Sequence, residues 1–180
     1  KADSEDFFAF TILESLLTGP SSLNMFGGGG ISNRTSRLYL ALVEKELAVS
    51  VGGNLNANVD PGSFTINLTK HPARSVRRLL SALDAQIEKI QSEPITQAEI
   101  DRAVKQAKAL FAYGSDNITN QAFWMGYANS FADYYWFAEY VERLAAVSPE
   151  QVRNTAGKYL RPDARVIGVY TPNGTGGAND

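Results

Sequence analysis

Cysteine is absent from this 180-residue sequence, and histidine occurs once, as His71. Without cysteine the chain can form neither a disulfide framework nor a reactive thiolate. A catalytic zinc ion needs three protein ligands around an open position, and one histidine in a Lys-His-Pro turn does not supply them. The sequence therefore predicts no metal site and no catalytic residue in this chain.

A strong charge of one sign and long apolar runs are also missing. The formal net charge is -2 and the pI is about 5.5, whereas nucleic-acid binders usually carry a basic stripe or have a high pI. The densest basic cluster, Arg74, Arg77 and Arg78, is short, and we expect it on a solvated helix face. The longest apolar runs fall far short of the ~20 residues that a membrane span needs. These features argue against a nucleic-acid partner and against a membrane span.

Hydrophobic spacing divides most of the chain into helices. Apolar residues at intervals of three and four predict amphipathic helices. Thr96 with Glu99, and Ser148 with Gln151, form capping-box patterns at two of the helix starts. The predicted helices cover residues 3–17, 34–46, 72–91, 96–110, 115–131, 134–146 and 148–160.

Alternating apolar residues predict a small sheet. Residues 49–57 and 64–68 are expected to form two antiparallel strands of a hairpin, with a turn signal between them. Residues 166–170 predict a last strand, which must join the same sheet or keep an unpaired edge. The Gly- and Asn-rich residues 173–180 predict a disordered tail. The order of elements predicts a single α+β domain over residues 1–172, in which helices pack on one face of a mainly antiparallel sheet.

Motifs for other chemistry are weak. The glycine run over residues 27–30 follows a helix and lacks the lysine of a phosphate-binding loop, so it is predicted to be a flexible connector. His71 is predicted to be a surface histidine, and Glu44 and Glu46 to lie on a solvated face. The aromatic residues between 123 and 140 are predicted to pack in the core, with part of the cluster left for an interdomain contact or a peptide-holding cavity.

An ordered set of segments resembles the pitrilysin/insulinase family of zinc peptidases, which includes the mitochondrial processing peptidases. The match spans about residues 4–172. Its main segments are Ser36-Arg37-Leu38-Tyr39, Leu42-Val43-Glu44, Leu47-Ala48-Val49, Asp60-Pro61-Gly62-Ser63-Phe64, the Thr96-capped helix and the helix from Ser148 to Pro162.

The resemblance implies a fold and a place in a larger enzyme. Members of the family are built from homologous halves that face each other across a chamber, and the catalytic half carries an H-x-x-E-H zinc motif. No segment here matches that motif. The resemblance therefore implies the non-catalytic, C-terminal-type half of a pitrilysin-like zinc metallopeptidase, an α+β half domain that lacks the first strands of the family.

The resemblance also implies partners. This half would close the chamber over a peptide substrate and pack against a zinc-bearing half, in the same polypeptide or in a companion subunit. Zinc is expected in that partner half, and this chain is not expected to be catalytic by itself. The compartment stays open between the bacterial periplasm, the cytoplasm and an organelle.

The substrate-gripping residues of the family are replaced in this chain. The opposite half of the family often supplies an Arg and a Tyr, and the matching positions are Val43 and Val49, which cannot donate the same hydrogen bonds. The alternative is therefore a degenerate family member that serves as a structural or assembly subunit without peptidase activity.

Overall fold

The computed structural model describes residues 1–20 and 33–171. The predicted connector at residues 27–30 and the predicted tail at residues 173–180 lie outside the described residues. Helices dominate and two strands form an antiparallel sheet, which confirms the predicted fold class. In chain order the elements are α1 (Phe7–Thr18), a π-helical turn (Tyr39–Val43), β1 (Ala48–Asn54), β2 (Thr65–Lys70), α2 (Val76–Ser92), α3 (Gln97–Gly114), α4 (Ile118–Phe131), α5 (Tyr134–Ala138), α6 (Tyr140–Ala145), α7 (Pro149–Tyr159) and a 3-10 turn (Pro162–Ala164).

Helix α1 lies at the centre of the core. It is buried on nearly all sides and packs against α3, α6, α7 and β1. It begins at Phe7, later than predicted. The carboxylate of Asp6 at its N-terminus accepts hydrogen bonds from Lys158 and Tyr159 and does not cap the helix. Gly19 ends α1 with a φ of 102°, a conformation that favours glycine.

The two strands form the predicted antiparallel pair with different bounds. Gly52 pairs with Asn67 and Gly53 with Ile66. The C-terminal end of α1 crosses β1 closely, since a Cβ on Gly53 would lie 2.1 Å from Oγ1 of Thr18. The glycine lets helix and strand approach at this point, so the sheet rests directly on the central helix.

The later helices follow their sequence signals. Both predicted capping boxes are present. The hydroxyls of Thr96 and Ser148 accept from backbone N–H groups of the first turn, and the side chains of Glu99 and Gln151 accept from the backbone N–H groups of Thr96 and Ser148. The helix predicted over residues 134–146 is interrupted at Glu139 and forms α5 and α6. No helix in the described part of the chain is long and apolar enough to cross a membrane.

The aromatic stretch divides between core and surface, as predicted. Trp136, Phe137 and Tyr140 are buried, and the Trp136 indole N–H donates to the carbonyl oxygen of Ala2 at 2.9 Å. The exposed aromatic residues of the same region are Phe123, Tyr127, Tyr134 and Tyr135.

The strand predicted over residues 166–170 is wrong. Residues 165–171 have no regular secondary structure, and every one of them is exposed. A strand exists only when a neighbour completes its hydrogen-bond ladder, and the described sheet contains β1 and β2 alone. The alternation of apolar residues therefore did not produce a paired strand within the described residues.

Candidate functional site

Three departures from regular backbone cluster in residues 39–50, which we call the irregular segment. It contains the π-helical turn, a left-handed Glu46 with a φ of 54°, and a β-bulge at the start of β1. Glu46 is the one non-glycine residue with a positive φ in the described ranges. Irregularities of this kind cost energy and are common at functional sites, so this segment is the candidate site.

The π-helical turn is a consequence of burial. The N–H of Glu44 donates to the carbonyl of Tyr39, and the N–H of Leu47 donates to that of Leu42, each five residues back along the chain. Leu38 and Leu42 are fully buried and Leu47 is 8% exposed. The wider turn therefore brings apolar residues from both sides of residues 43–46 into the core. This replaces the regular helix predicted over residues 34–46.

Arg74 holds the left-handed residue. Its Nε donates to the carbonyl oxygen of Glu46 at 3.2 Å, and its guanidinium lies 3.9 Å from the Glu46 carboxylate. The carboxylate is 75% exposed, so the carbonyl bond contributes more to the geometry than the ion pair does. Arg74 precedes α2 and is half-buried, which corrects its predicted place on a solvated helix face; Arg77 and Arg78 are exposed.

Val43 and Val49 both lie in the irregular segment, in different environments. Val43 is partly buried and packs against the core. Ala48 pairs with Lys70 and Ser50 with Thr69, so Val49 is the extra residue of the bulge and is 56% exposed. The bulge turns Val49 to solvent beside the polar outer face of the sheet, where the hydroxyls of Ser50 and Thr69 are 2.8 Å apart.

The segment is anchored to α3 by an ion pair that composition and spacing did not predict. Ser36 is buried and its hydroxyl accepts from the N–H of Tyr39 at 3.4 Å. Arg37 donates through Nη2 to Oε1 of Glu99 at 2.8 Å. Desolvation acts to raise the pKa of Glu99, but the Thr96 backbone N–H and Arg37 outweigh it and lower the pKa below its usual value. The Ser-Arg-Leu-Tyr motif therefore fixes where the irregular segment starts.

A shallow groove of about 340 Å³ runs beside the π-helical turn. Leu40 is 44% exposed and contributes an apolar patch to it. The residues that line the groove are Arg37, Leu40, Ala41, Gln86, Lys89 and Glu93. The groove is open to solvent, and side chains of both charges line it beside Leu40.

The other candidate groups do not form a reaction centre. The Nδ1 of His71 accepts from the N–H of Ala73 at 3.3 Å, which is a local turn contact. Glu44 and Glu46 are exposed on the irregular segment, as predicted. Across residues 1–20 and 33–171, no group of three or more His, Asp or Glu side chains is arranged to hold a metal ion.

A family model and several solved structures are similar to this chain. The model of the family described as the peptidase M16 inactive domain matches residues 1–107. No curated protein matches the chain.

The similar structures show a shared fold at low sequence identity. A candidate zinc protease from Bordetella pertussis Tohama I is 24% identical over 96% of this chain and 87% of its own, with a TM-score of 0.79. An inactive peptidase domain from Bordetella parapertussis is also 24% identical over the same shares, with a TM-score of 0.78. A protease from Helicobacter pylori is 21% identical over 88% of this chain and 36% of its own, with a TM-score of 0.74.

Proposed function

Because the chain belongs to the peptidase M16 family, as an inactive domain, we propose that it closes the substrate chamber of a zinc-dependent endopeptidase and packs against a zinc-bearing half. That half would carry the H-x-x-E-H motif, in which two histidines hold zinc and the glutamate activates water. This chain supplies no step of the hydrolysis. Its contribution is the shape and polarity of the opposite chamber wall.

The observation that carries the proposal is the family match over residues 1–107, which includes the whole irregular segment. Backbone strain there is maintained by named contacts, above all the bond from Arg74 to the Glu46 carbonyl. A bulge that presents Val49 at the edge of a polar strand face offers an apolar contact to an extended peptide. These features support a peptide-facing role for the irregular segment.

One observation favours the alternative of a structural or assembly subunit. Val43 and Val49 occupy the positions where the family resemblance places an Arg and a Tyr, and valine cannot donate a side-chain hydrogen bond. Val43 is also partly buried against the core, where it contacts the fold rather than solvent. A half without both hydrogen-bond donors can still pack against its partner half, while it no longer binds substrate through those side chains.

The test is to purify the native protein and map every peptide in it and in its stoichiometric partners by mass spectrometry. An H-x-x-E-H segment, together with peptide hydrolysis that stops when zinc is chelated and returns when zinc is added, is the expected result. A complete map without that segment refutes the peptidase role and leaves the assembly role.

A pair of matched variants then tests the chamber wall. Val49 and Val59 are both 56% exposed, but only Val49 lies on the irregular segment. In the active protein, Val49→Asp should lower kcat/KM for peptide hydrolysis by roughly tenfold, and Val59→Asp should leave it within about twofold. Equal effects of the two variants would show that the irregular segment has no special contact with substrate.

A further inference from the structure

The last residue of β2 and the turn that follows it, residues 70–74, contact the irregular segment at three consecutive residues; we call them the clamp turn. The contacts are the pairing of Lys70 with Ala48, a 3.0 Å hydrogen bond from the N–H of His71 to the carbonyl oxygen of Leu47, and the 3.2 Å bond from Nε of Arg74 to the carbonyl oxygen of Glu46. The first two contacts belong to the backbone. Only the bond to Glu46 depends on a side chain, so it depends most on how the clamp turn is held.

The side chain of Lys70 holds the clamp turn from within. Lys70 is half-buried, and its Nζ donates to the carbonyl oxygen of Arg74 at 2.6 Å and to that of Pro72 at 3.3 Å. Neither carbonyl accepts a backbone hydrogen bond within the described ranges, because both lie ahead of α2, which begins at Val76. Hydrogen bonds from a charged donor are shorter and stronger than neutral ones. Lys70 therefore supplies the partner that these two carbonyls lack.

The charge of Lys70 has no other use in the described residues. Lys70 forms no ion pair there, so its ammonium group serves the two carbonyls alone. A salt bridge would place the lysine for electrostatic reasons, whereas this arrangement fixes a backbone conformation. The role of Lys70 is therefore to shape the turn.

Arg74 is consequently held at both of its ends. Its carbonyl oxygen accepts from Lys70, and its guanidinium donates to the carbonyl oxygen of Glu46. Glu46 has a φ of 54°, and a non-glycine residue keeps such a conformation only when its surroundings maintain it. A long side chain loses conformational entropy when it is ordered, and a backbone that already points it at its acceptor reduces the cost of the bond. Lys70 therefore strengthens a hydrogen bond that it does not itself make.

We propose that Lys70 is a positioning residue of the irregular segment, which acts through Arg74 to keep Glu46 and the bulge at Val49 in the conformation that binds peptide. This inference rests on the proposed function, in which the irregular segment faces the substrate. Lys70 itself does not contact the peptide, and it takes no part in the hydrolysis.

Steady-state kinetics of the native protein separate positioning from general stability. Lys70→Met should raise KM for peptide hydrolysis by about fivefold and leave kcat within about twofold, because the segment contributes to peptide binding alone. A fold that was merely less stable would contain less active protein, which lowers the apparent kcat and leaves KM unchanged; that pattern would overturn the proposal. Lys105→Met, which removes the same charge from an exposed position on α3, should change neither constant.

A double-mutant cycle tests whether Lys70 acts through Arg74. The effect of Lys70→Met on KM should disappear in an Arg74→Met background, because the bond that Lys70 supports is already absent. Lys70→Arg keeps a charged donor at this position and should stay within about twofold of the wild type. Additive effects of the two methionine variants, or a Lys70→Arg variant as impaired as Lys70→Met, would refute the proposal.

Hydrogen exchange tests the positioning role without a measurement of hydrolysis. The N–H groups of Glu46 and Leu47 each donate to a carbonyl oxygen within the irregular segment. In the native protein, Lys70→Met should make these two amides exchange about fivefold faster. The N–H of Val152, which donates to the carbonyl oxygen of Ser148 at the start of α7, should exchange at the wild-type rate.

The two kinds of measurement distinguish this inference from the proposed function. Unchanged exchange of the Glu46 and Leu47 amides would overturn the positioning role. Faster exchange in a protein that hydrolyses no peptide would leave the positioning role standing and the proposed function wrong. Zinc-dependent hydrolysis in which neither KM nor exchange responds to Lys70→Met would give the reverse.

Discussion

The two capping boxes of this chain differ by one charge, which isolates the ion pair that anchors the irregular segment. Ser148 and Gln151 form a neutral box at the start of α7, while Thr96 and Glu99 form an acidic one at the start of α3. Glu99→Gln converts the second box to the chemistry of the first. It therefore keeps the cap and removes only the charge that binds Arg37.

The expected cost follows from the burial of the pair. Arg37 Nη2 and Glu99 Oε1 are 2.8 Å apart, and the side chains are 20% and 22% exposed. Fully exposed pairs contribute about 0.2–1 kcal/mol, and hydrogen bonds to charged groups about 1.5–3 kcal/mol. Glu99→Gln should therefore lower the free energy of unfolding by about 1–2 kcal/mol, measured by urea denaturation at neutral pH with an unchanged m-value.

The pH dependence of this loss has a defined sign. The pKa of Glu99 lies below its usual value of 4.5, because the Thr96 N–H and Arg37 outweigh the opposing effect of desolvation. A carboxyl group with a depressed folded-state pKa stabilises the fold above its unfolded-state pKa, and this contribution is lost as pH falls through the folded value. The difference between wild type and Glu99→Gln should be complete at neutral pH and should shrink as pH falls below 4.5 and through the folded-state pKa of Glu99.

A double-mutant cycle supplies the control. In an Arg37→Met background, Glu99→Gln should cost less than about 0.5 kcal/mol, because the charge has no partner to lose. The same cost in both backgrounds, or a cost in the wild-type background that does not change with pH, would show that Glu99 acts as a cap alone and does not anchor the irregular segment.

Three further predictions concern the packing of the sheet, the strained residue and a buried hydroxyl. Gly53→Ala should destabilise the fold by about 1–3 kcal/mol in a thermal unfolding assay, because the new Cβ would lie 2.1 Å from Oγ1 of Thr18. Gly52→Ala is the matched control in the same assay, since a Cβ at Gly52 would have no atom within 4 Å. Glu46→Gly should raise the free energy of unfolding by about 1 kcal/mol, since glycine adopts a φ of 54° without strain; a loss of stability would show that Arg74 or the side chain contributes more than the backbone costs. Burial raises the pKa of the Tyr140 hydroxyl above its usual value of 10.0. The unfolded chain therefore ionises first, and the free energy of unfolding falls as pH rises above about 10. Tyr140→Phe removes this group, so its free energy of unfolding should fall less than that of the wild type between about pH 9 and 11, measured by denaturation curves.

The sequence predicts local features well because their causes are local. A capping box is complete within four residues, so Thr96 with Glu99 and Ser148 with Gln151 mark helix starts that the structure confirms. Helical periodicity is local too, because it reflects only which face of a single helix is buried. These features require no knowledge of which elements are neighbours in the folded chain.

Features that depend on distant neighbours could not be predicted in the same way. The alternation in residues 166–170 predicts a strand that the described part of the chain does not contain, because pairing depends on a second strand that no local pattern reveals. The π-helical turn arises because Leu38, Leu42 and Leu47 must all reach one core. That requirement is set by the packing of the whole domain.

The candidate site is marked by two independent kinds of information. The resemblance to a family points to Val43 and Val49, which no pattern in the sequence itself marks as functional. The structure shows independently that both lie within the irregular segment. The burial of Leu38, Leu42 and Leu47 accounts for the π-helical turn, and Arg74 and the Arg37–Glu99 pair hold the irregular segment in place. The resemblance implies that valine replaces the family's donor side chains at residues 43 and 49, so we propose that the segment presents its backbone shape instead. Removing the contact that holds Glu46, as in Arg74→Met, should therefore reduce peptide hydrolysis by the native protein more than it changes the stability of the fold, and unchanged hydrolysis in that variant would contradict the assignment of the site.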